Sequence, residues 1–219
     1  MRYYPIYLDL KGRDVLVVGG GAIAEGKALQ LVQAGARLTV VSPELTEALR
    51  AAADHGEITH RGGSFIEGDL NGVFLVVSAT DDRKVNERVA DAAKERGLLC
   101  NVVDQPELCN FITPALVTRG GLQISVSTGG GSPTLTQRVK REVAALVGEE
   151  YGVLLELAAE MRAEAKDRIA DFARRRDALR AFVESDALDL IRAGRLDEAR
   201  ALTRRFLHDH AFEAEEEEN

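Results

Sequence analysis

Apolar residues recur along the chain with two different periods, and the succession of those periods predicts its elements. "DVLVV" at 14–18 is a short β-branched run without alternation, the pattern of a parallel strand covered on both faces. It leads into "GGGAIAEGKALQLVQAGA", where Ile23, Leu29, Leu31, Val32 and Ala34 recur at roughly helical spacing and Gly35 stands where a helix C-cap belongs. A strand "RLTVVS", a helix "PELTEALRAAADHG" with Pro43 near its start, and a short strand "EITHRG" follow. "VFLVVSA" predicts another buried strand, "TDDRKVNERVADAAKERG" a helix with Thr80 or Asp81 as N-cap, and "LLCNVVD" a fifth strand ending at Asp104. This alternation predicts an α/β fold built on a Rossmann-like parallel sheet.

The pattern changes after Asp104. "ALVTRGGLQISVST" reads as two strands joined at Gly120-Gly121, a hairpin in place of another crossover unit, so a boundary is expected between Phe111 and Pro114. "GGGSPTLTQRVKREVAALV" then predicts a helix with Ser132 as N-cap, Pro133 at its first position, and Leu135, Val139, Val143 and Leu146 on one face. Everything beyond Tyr151 is helical in pattern and lacks the internal period of a solenoid. The expected organisation is a nucleotide-binding domain over 1–113, a small α+β segment over 114–148, a helical domain over 149–211, and an acidic, disordered tail over 212–219. Two strands make too small a sheet to stand alone, so the hairpin segment is expected to pair with a second copy and form a homodimer.

Composition narrows the partners. The formal charge is −8 over 219 residues, but six acids lie in Asp209–Asn219 with no Lys or Arg among them, so the body carries only about −2. Basic residues are neither in excess nor interleaved with aromatics, which excludes a nucleic-acid groove. No apolar stretch approaches the roughly 20 residues that span a bilayer, so no membrane association is expected. Cys100 and Cys109 follow no metal or redox spacing and the amino terminus has no secretory pattern, which predicts a reduced cytoplasmic setting. His55, His60, His208 and His210 are scattered, and no fixed metal site is expected.

Two glycine clusters carry candidate chemistry. Gly19-x-Gly21-x-x-Ala24 follows a predicted strand and opens a helix, the context of a dinucleotide site. Gly19 permits the turn, Gly21 lets the backbone approach a pyrophosphate, Ala24 allows close helix packing, and the N–H groups of the first turn, through Ala22 and Ile23, face the phosphates. At the end of the second strand, "VVSPE" puts Ser42 and Pro43 where an acid usually holds the ribose; Glu44 is the nearest carboxylate and no Arg follows it directly, which favours NAD over NADP. An acid in the first turn of the next helix is the other reading of Glu44. Thr80, after the fourth strand, joins the cofactor set.

The second cluster, "STGGGSPTLTQRVKRE", lacks the P-loop ending. Its Ser127 and Thr128 hydroxyls and the helix start at Ser132 suit carboxylates. Arg119, Arg138, Lys140 and Arg141 against Glu142 give residues 113–147 about +3 in an acidic protein, which points to an anionic ligand or to an exposed basic helix face.

"YYPIYLDLKGRDVLVVGGGAIAEGKALQLVQAGARLTVVSPE", "VSATDD", "CNVVDQPELCNFITPA" and "VSTGGGSPTLTQRVKRE" together resemble the precorrin-2 dehydrogenase family, the NAD-dependent module of sirohaem synthase, over residues 4–148. The resemblance implies oxidation of precorrin-2 to sirohydrochlorin with NAD as cofactor, a homodimer, and Asp104 as the catalytic acid/base. Some relatives also insert ferrous iron, a second reaction that the sequence leaves open. Precorrin-2 carries eight carboxylates, which gives Arg119, Arg138, Ser127, Thr128 and Ser132 a substrate to bind. The methyltransferase domain fused to some relatives has no counterpart here, so that methylation is expected from another protein. One departure is Gly26, where the family often carries Arg ahead of the lysine seen here as Lys27. The competing reading is an NAD-sensing module that regulates a partner without catalysis.

Overall fold

In the computed structural model, residues 3–216 are described, with side chains through Ala211. The chain divides into two compact units, Met1–Thr113 and Pro114–Asn219.

The first unit is a five-stranded parallel sheet in the order β3-β2-β1-β4-β5, comprising β1 (Asp14–Val18), β2 (Arg37–Ser42), β3 (Thr59–Gly62), β4 (Leu75–Ser78) and β5 (Leu99–Val102). Helices α1 (Ala22–Gln33), α2 (Glu47–Asp54) and α3 (Arg83–Glu95) cross between strands. Alternate residues of each strand face opposite sides, so β1 sends Val15 and Val17 into one core with Ala24, Ala28, Val40 and Leu49. Leu16 and Val18 enter the other, with Val41, Val76, Val89, Ala93 and Cys100. Apolar burial on both faces is why the strand sequences show no alternation. The order reverses between β1 and β4, which opens a crevice beyond their carboxyl ends.

Local chemistry moves two expected boundaries and changes which face of α1 is buried. α1 fully buries Ala24 and Ala28 and packs Leu31 and Val32 against the core, while Ile23 (54% exposed) and Leu29 (39%) face outward, so its closest approach to the sheet is made by alanine. α2 begins at Glu47, because the Thr46 hydroxyl accepts from the Leu49 N–H at 3.3 Å; Pro43 and Glu44 lie in the preceding loop. α3 is capped by Asp82, whose carboxylate accepts from the Lys84 and Val85 N–H groups, and the Thr80 hydroxyl instead accepts from the Asp82 N–H at 3.2 Å.

The second unit begins with an antiparallel pair, β6 (Ala115–Arg119) and β7 (Leu122–Val126), turning at Gly120 with φ +53°. α4 (Pro133–Leu146) starts as expected, with the Ser132 hydroxyl accepting from the Leu135 N–H at 3.2 Å and Pro133 following it. None of its residues is buried, and Leu135 and Leu146 are among the exposed large apolar side chains. α5 (Glu150–Arg168), α6 (Phe172–Val183), α7 (Ala187–Arg192) and α8 (Leu196–Glu216) pack around Leu157, Met161, Phe182 and Leu207. A Cβ on Gly152 would meet the Arg119 carbonyl at 2.9 Å, so the start of α5 lies directly against the hairpin turn. The side chains from 212 onward and residues 217–219, on which the disordered tail was expected, lie outside the described residues. Among the described residues no helix is long and apolar enough to cross a membrane.

Candidate active site

Three loops converge at the carboxyl ends of β1, β2 and β4. The Gly19 N–H donates to the Val41 carbonyl at 2.9 Å, with φ of +119° at Gly19, and a Cβ there would meet the Ala79 carbonyl oxygen at 2.3 Å. Gly20 is packed more closely still, since its Cβ would lie 2.0 Å from the Glu44 carbonyl oxygen and 2.6 Å from the Ser42 hydroxyl. The Gly20 carbonyl accepts from the Thr46 N–H at 3.0 Å, which ties this turn to the loop after β2. Gly21 differs from both: nothing lies within 4 Å of where its Cβ would stand, and it is the N-cap of α1 without a side-chain cap. The first turn of α1, Ala22, Ile23 and Ala24, is thus a helix N-terminus left open to an approaching phosphate.

A buried polar pair fixes the loop after β4. The Ser78 hydroxyl donates to Asn86 Oδ1 at 2.7 Å, and Asn86 Nδ2 donates to the Thr80 carbonyl at 3.0 Å. After β2, Pro43 and Glu44 share a hollow with Arg50, Asp54 and His60, and the His60 Nε2 lies 3.0 Å from the Ser42 carbonyl. Arg50 is therefore close to Glu44 in space although six residues away in sequence.

Asp104 stands two residues past β5, exposed, in a turn that joins the same sheet edge. Among the described residues it alone combines a side chain with positive φ, at +59°. Aspartate tolerates this region better than most residues because its short polar side chain bonds locally. The Val103 N–H donates to the Ser78 carbonyl at 2.9 Å, so the turn carrying Asp104 hangs from the same strand end that holds Thr80. Cys109, Asn110 and Phe111 fold back along β5: Asn110 Oδ1 accepts from the Cys100 N–H at 2.8 Å, its Nδ2 donates to the Leu98 carbonyl at 2.7 Å, and Asn101 Nδ2 donates to the Phe111 carbonyl at 3.1 Å. These bonds occupy polar groups along the outer side of an edge strand.

In the second unit, the hydroxyls of the second glycine cluster bond to the loop itself. Ser127 accepts from the Gly129 N–H at 3.1 Å, and Thr128 accepts from the Ser132 N–H at 3.1 Å and lies 2.9 Å from the Thr136 hydroxyl. Arg119 donates to the Val147 carbonyl at 2.8 Å and the Ala144 carbonyl at 2.9 Å, which makes it a cap for the end of α4. Arg138 is exposed and pairs with Glu142 one turn along α4.

Comparison with known proteins follows the same order along the chain. An NAD(P)-binding family matches residues 6–115, the sirohaem biosynthesis protein central region matches 119–146, and the sirohaem synthase dimerisation region matches 150–207. The chain belongs to the sirohaem-synthase family of NAD(P)-binding proteins. Siroheme synthase of Nitrosococcus oceani is 39% identical over 199 residues, covering 91% of this chain and 42% of that protein. That of Thioalkalivibrio sulfidiphilus is 40% identical over 200 residues, covering 91% and 41%. The chain thus spans about two fifths of the length of these curated relatives. The solved structure of SirC, precorrin-2 dehydrogenase, superposes with a TM-score of 0.78 at 29% identity, covering 95% of this chain and 98% of that one.

Within this family frame, the structure brings Gly19, Gly21, Ser42, Glu44, Thr80 and Asp104 to one edge of one sheet. The first-turn reading of Glu44 fails, since α2 starts three residues later. The dimerisation region of the sirohaem-synthase family falls on the helices after Glu149, beside the hairpin segment from which pairing was expected. Sequence reasoning missed Gly20, Arg50, Asn86 and Cys109. Only Gly20 had a visible signal, its place inside a run of three glycines.

Proposed function

We propose that the chain is an NAD-dependent dehydrogenase that oxidises precorrin-2 to sirohydrochlorin. The observation that carries this reading is the exposed Asp104 carboxylate, held in a left-handed turn at the sheet edge that also bears the open glycine turn. The family assignment and the precorrin-2 dehydrogenase neighbour support the substrate.

Oxidation removes one hydride and one proton from the tetrapyrrole, and the nicotinamide, when bound, accepts the hydride. The first turn of α1 holds the pyrophosphate with its unpaired N–H groups, and Gly21 leaves space for it. The Asp104 carboxylate takes the proton at an oxygen and passes it to water, which its exposure allows. We assign NAD and not NADP because the hollow beyond β2 sets two carboxylates, Glu44 and Asp54, beside the single Arg50, a poor lining for an added 2′-phosphate.

A homodimer is part of this proposal, supported by the dimerisation region at 150–207 and by the exposed Leu135 and Leu146 of α4. A cytoplasmic location and ferrous iron as a further substrate belong to it as well. The test is anaerobic incubation of the purified chain with precorrin-2 and NAD, read as NADH formation together with the sirohydrochlorin spectrum. NAD binding without turnover would favour the sensing module instead. Iron insertion is read in the same preparation by adding Fe²⁺ to sirohydrochlorin.

A further inference from the structure

We propose that Cys109 is a positioning residue for Asp104, its thiol fixing the turn that holds the carboxylate in place. The inference rests on the assignment of Asp104 as the proton acceptor and extends it to a residue that touches neither substrate nor cofactor.

The Cys109 sulfur sits inside the bend that Val102, Val103, Asp104 and Gln105 make as the chain leaves β5. The Val102 N–H donates to Sγ at 3.1 Å, and Sγ lies 3.2 Å from the Val102 carbonyl and 3.3 Å from the Gln105 carbonyl. Those two carbonyls flank Asp104, and one thiol proton serves them both. The bend has only one backbone bond of its own across Asp104, Gln105 N–H to the Val102 carbonyl, at a long 3.3 Å. A left-handed residue closed by one long bond needs support from outside the bend; the Ser78 carbonyl gives it at the Val103 N–H, and the thiol is placed to give it at the Val102 and Gln105 carbonyls. Asn101 Nδ2, 3.6 Å from the same sulfur, reaches it from the strand side.

The thiol must keep its proton to act as a donor here. Burial pushes its ionisation up and the Glu107 carboxylate adds to this, while the Val102 N–H pulls the other way; the net direction is upward, so at neutral pH the group stays S–H. Sulfur also suits the space, since its longer bonds and larger radius let one atom touch three backbone groups of one turn.

Loss of a group that only packs the core lowers stability and costs activity equally in any active-site background. Loss of a group that acts through Asp104 costs no further activity once Asp104 is disabled, which a double-mutant cycle detects. Four proteins are compared by single-turnover NADH formation from precorrin-2: the parent, Cys109→Ala, Asp104→Asn and the double variant. The expected result is a fall of about 10- to 100-fold in the rate for Cys109→Ala, the scale at which a small misplacement of a catalytic group is felt. KM and NAD affinity stay within about twofold, and the double variant is no slower than Asp104→Asn alone. Cys109→Ser, which restores a donor and an acceptor on a shorter arm, recovers part of the loss; it also carries the same cycle if Cys109→Ala does not fold. Equal losses in both backgrounds, or a change under about twofold in Cys109→Ala, overturn the proposal. Full activity in Asp104→Asn overturns the underlying reading instead, and the two failures are distinct.

Discussion

The Ser78 hydroxyl and the Asn86 amide oxygen meet at 2.7 Å, with both residues shut off from water. Asn86 then donates an amide proton to the Thr80 carbonyl, so one buried side chain on α3 fixes the loop against which Gly19 lies. Asn86→Ala leaves the buried Ser78 hydroxyl and the half-buried Thr80 carbonyl without this partner, which costs about 1–3 kcal/mol. Urea denaturation should show that loss, and NAD titration should show weaker binding, because the Ala79–Thr80 backbone is free to shift against the glycine turn.

Gly20 and Gly21 are adjacent but should respond in opposite ways. At Gly20 a methyl group collides with the Glu44 backbone, so Gly20→Ala should lower stability by about 1–3 kcal/mol through overpacking. At Gly21 the space is empty and φ is an ordinary −84°, so Gly21→Val should fold with a nearly unchanged melting temperature while obstructing the phosphate approach. NAD affinity should fall at least about tenfold in Gly21→Val. Calorimetric melting and NAD titration of the two variants check the contrast.

Arg119 and Arg138 were expected in one role, as anchors for substrate carboxylates, and the structure gives them different surroundings. Arg119 is mostly buried, with its donors on the Val147 and Ala144 carbonyls and Glu149 at 3.4 Å. Arg119→Met should destabilise the second unit by about 1.5–3 kcal/mol, the usual worth of hydrogen bonds from a charged donor. Arg138→Ala should leave stability within about 0.5 kcal/mol, as exposed pairs one turn apart do. If Arg138 holds a substrate carboxylate, KM for precorrin-2 rises in that variant with kcat preserved.

What the sequence made legible follows from which forces are local. The strands, their parallel arrangement and the hairpin were readable because unbroken β-branched runs, helical spacing and Gly120-Gly121 are signals carried within a few residues, whereas the strand order was not read. The helix starts were less so: Pro43, Glu44, Thr80 and Asp81 were all reasonable first residues, and Thr46 and Asp82 won by reaching the N–H groups two or three positions on. The site was half legible. Gly21 and Asp104 lie in recognisable contexts, whereas Asn86, Arg50 and Cys109 matter only through neighbours that folding brings to them. The mistaken emphasis on Ile23 and Leu29 has a related cause, since a helix that must approach a glycine turn closely buries alanine.

Alkaline conditions should reveal the burial of Cys100. Burial raises the Cys100 pKa to about 12, with the neighbouring Cys109 adding to the rise. An unfolded thiol ionises near 8.5. With the folded value above the unfolded one, the contribution to stability is complete below about pH 8.5 and is lost as pH rises toward 12, at about 1.4 kcal/mol per pH unit for the one group. Cys100→Val removes the group at similar volume, so its urea midpoint should fall less steeply between about pH 8.5 and pH 10 than the parent's. An identical slope in the two proteins would show that Cys100 is not protected as described.

Asp104 supplies the most exacting test of the proposed chemistry. Asparagine keeps the size of the side chain and, like aspartate, accepts a left-handed backbone, so Asp104→Asn should preserve both the turn at φ +59° and the Val103 to Ser78 bond. What it removes is the lone pair that takes the proton. Turnover of precorrin-2 should fall by about 10² to 10⁴, the range for a lost general base. NAD affinity should stay within about twofold, because the proposed phosphate site is the Gly21 turn at the start of α1 and not β5. Asp104→Gly serves as the control for geometry: it also accepts positive φ and lacks the carboxylate, so it should be as slow as the asparagine variant. Asp104→Ala lacks the carboxylate and also strains the turn, and its melting temperature should be the lowest of the three. If the asparagine and glycine variants oxidise precorrin-2 within a fewfold of the parent while binding NAD normally, Asp104 only shapes the turn, and the proton leaves by another route.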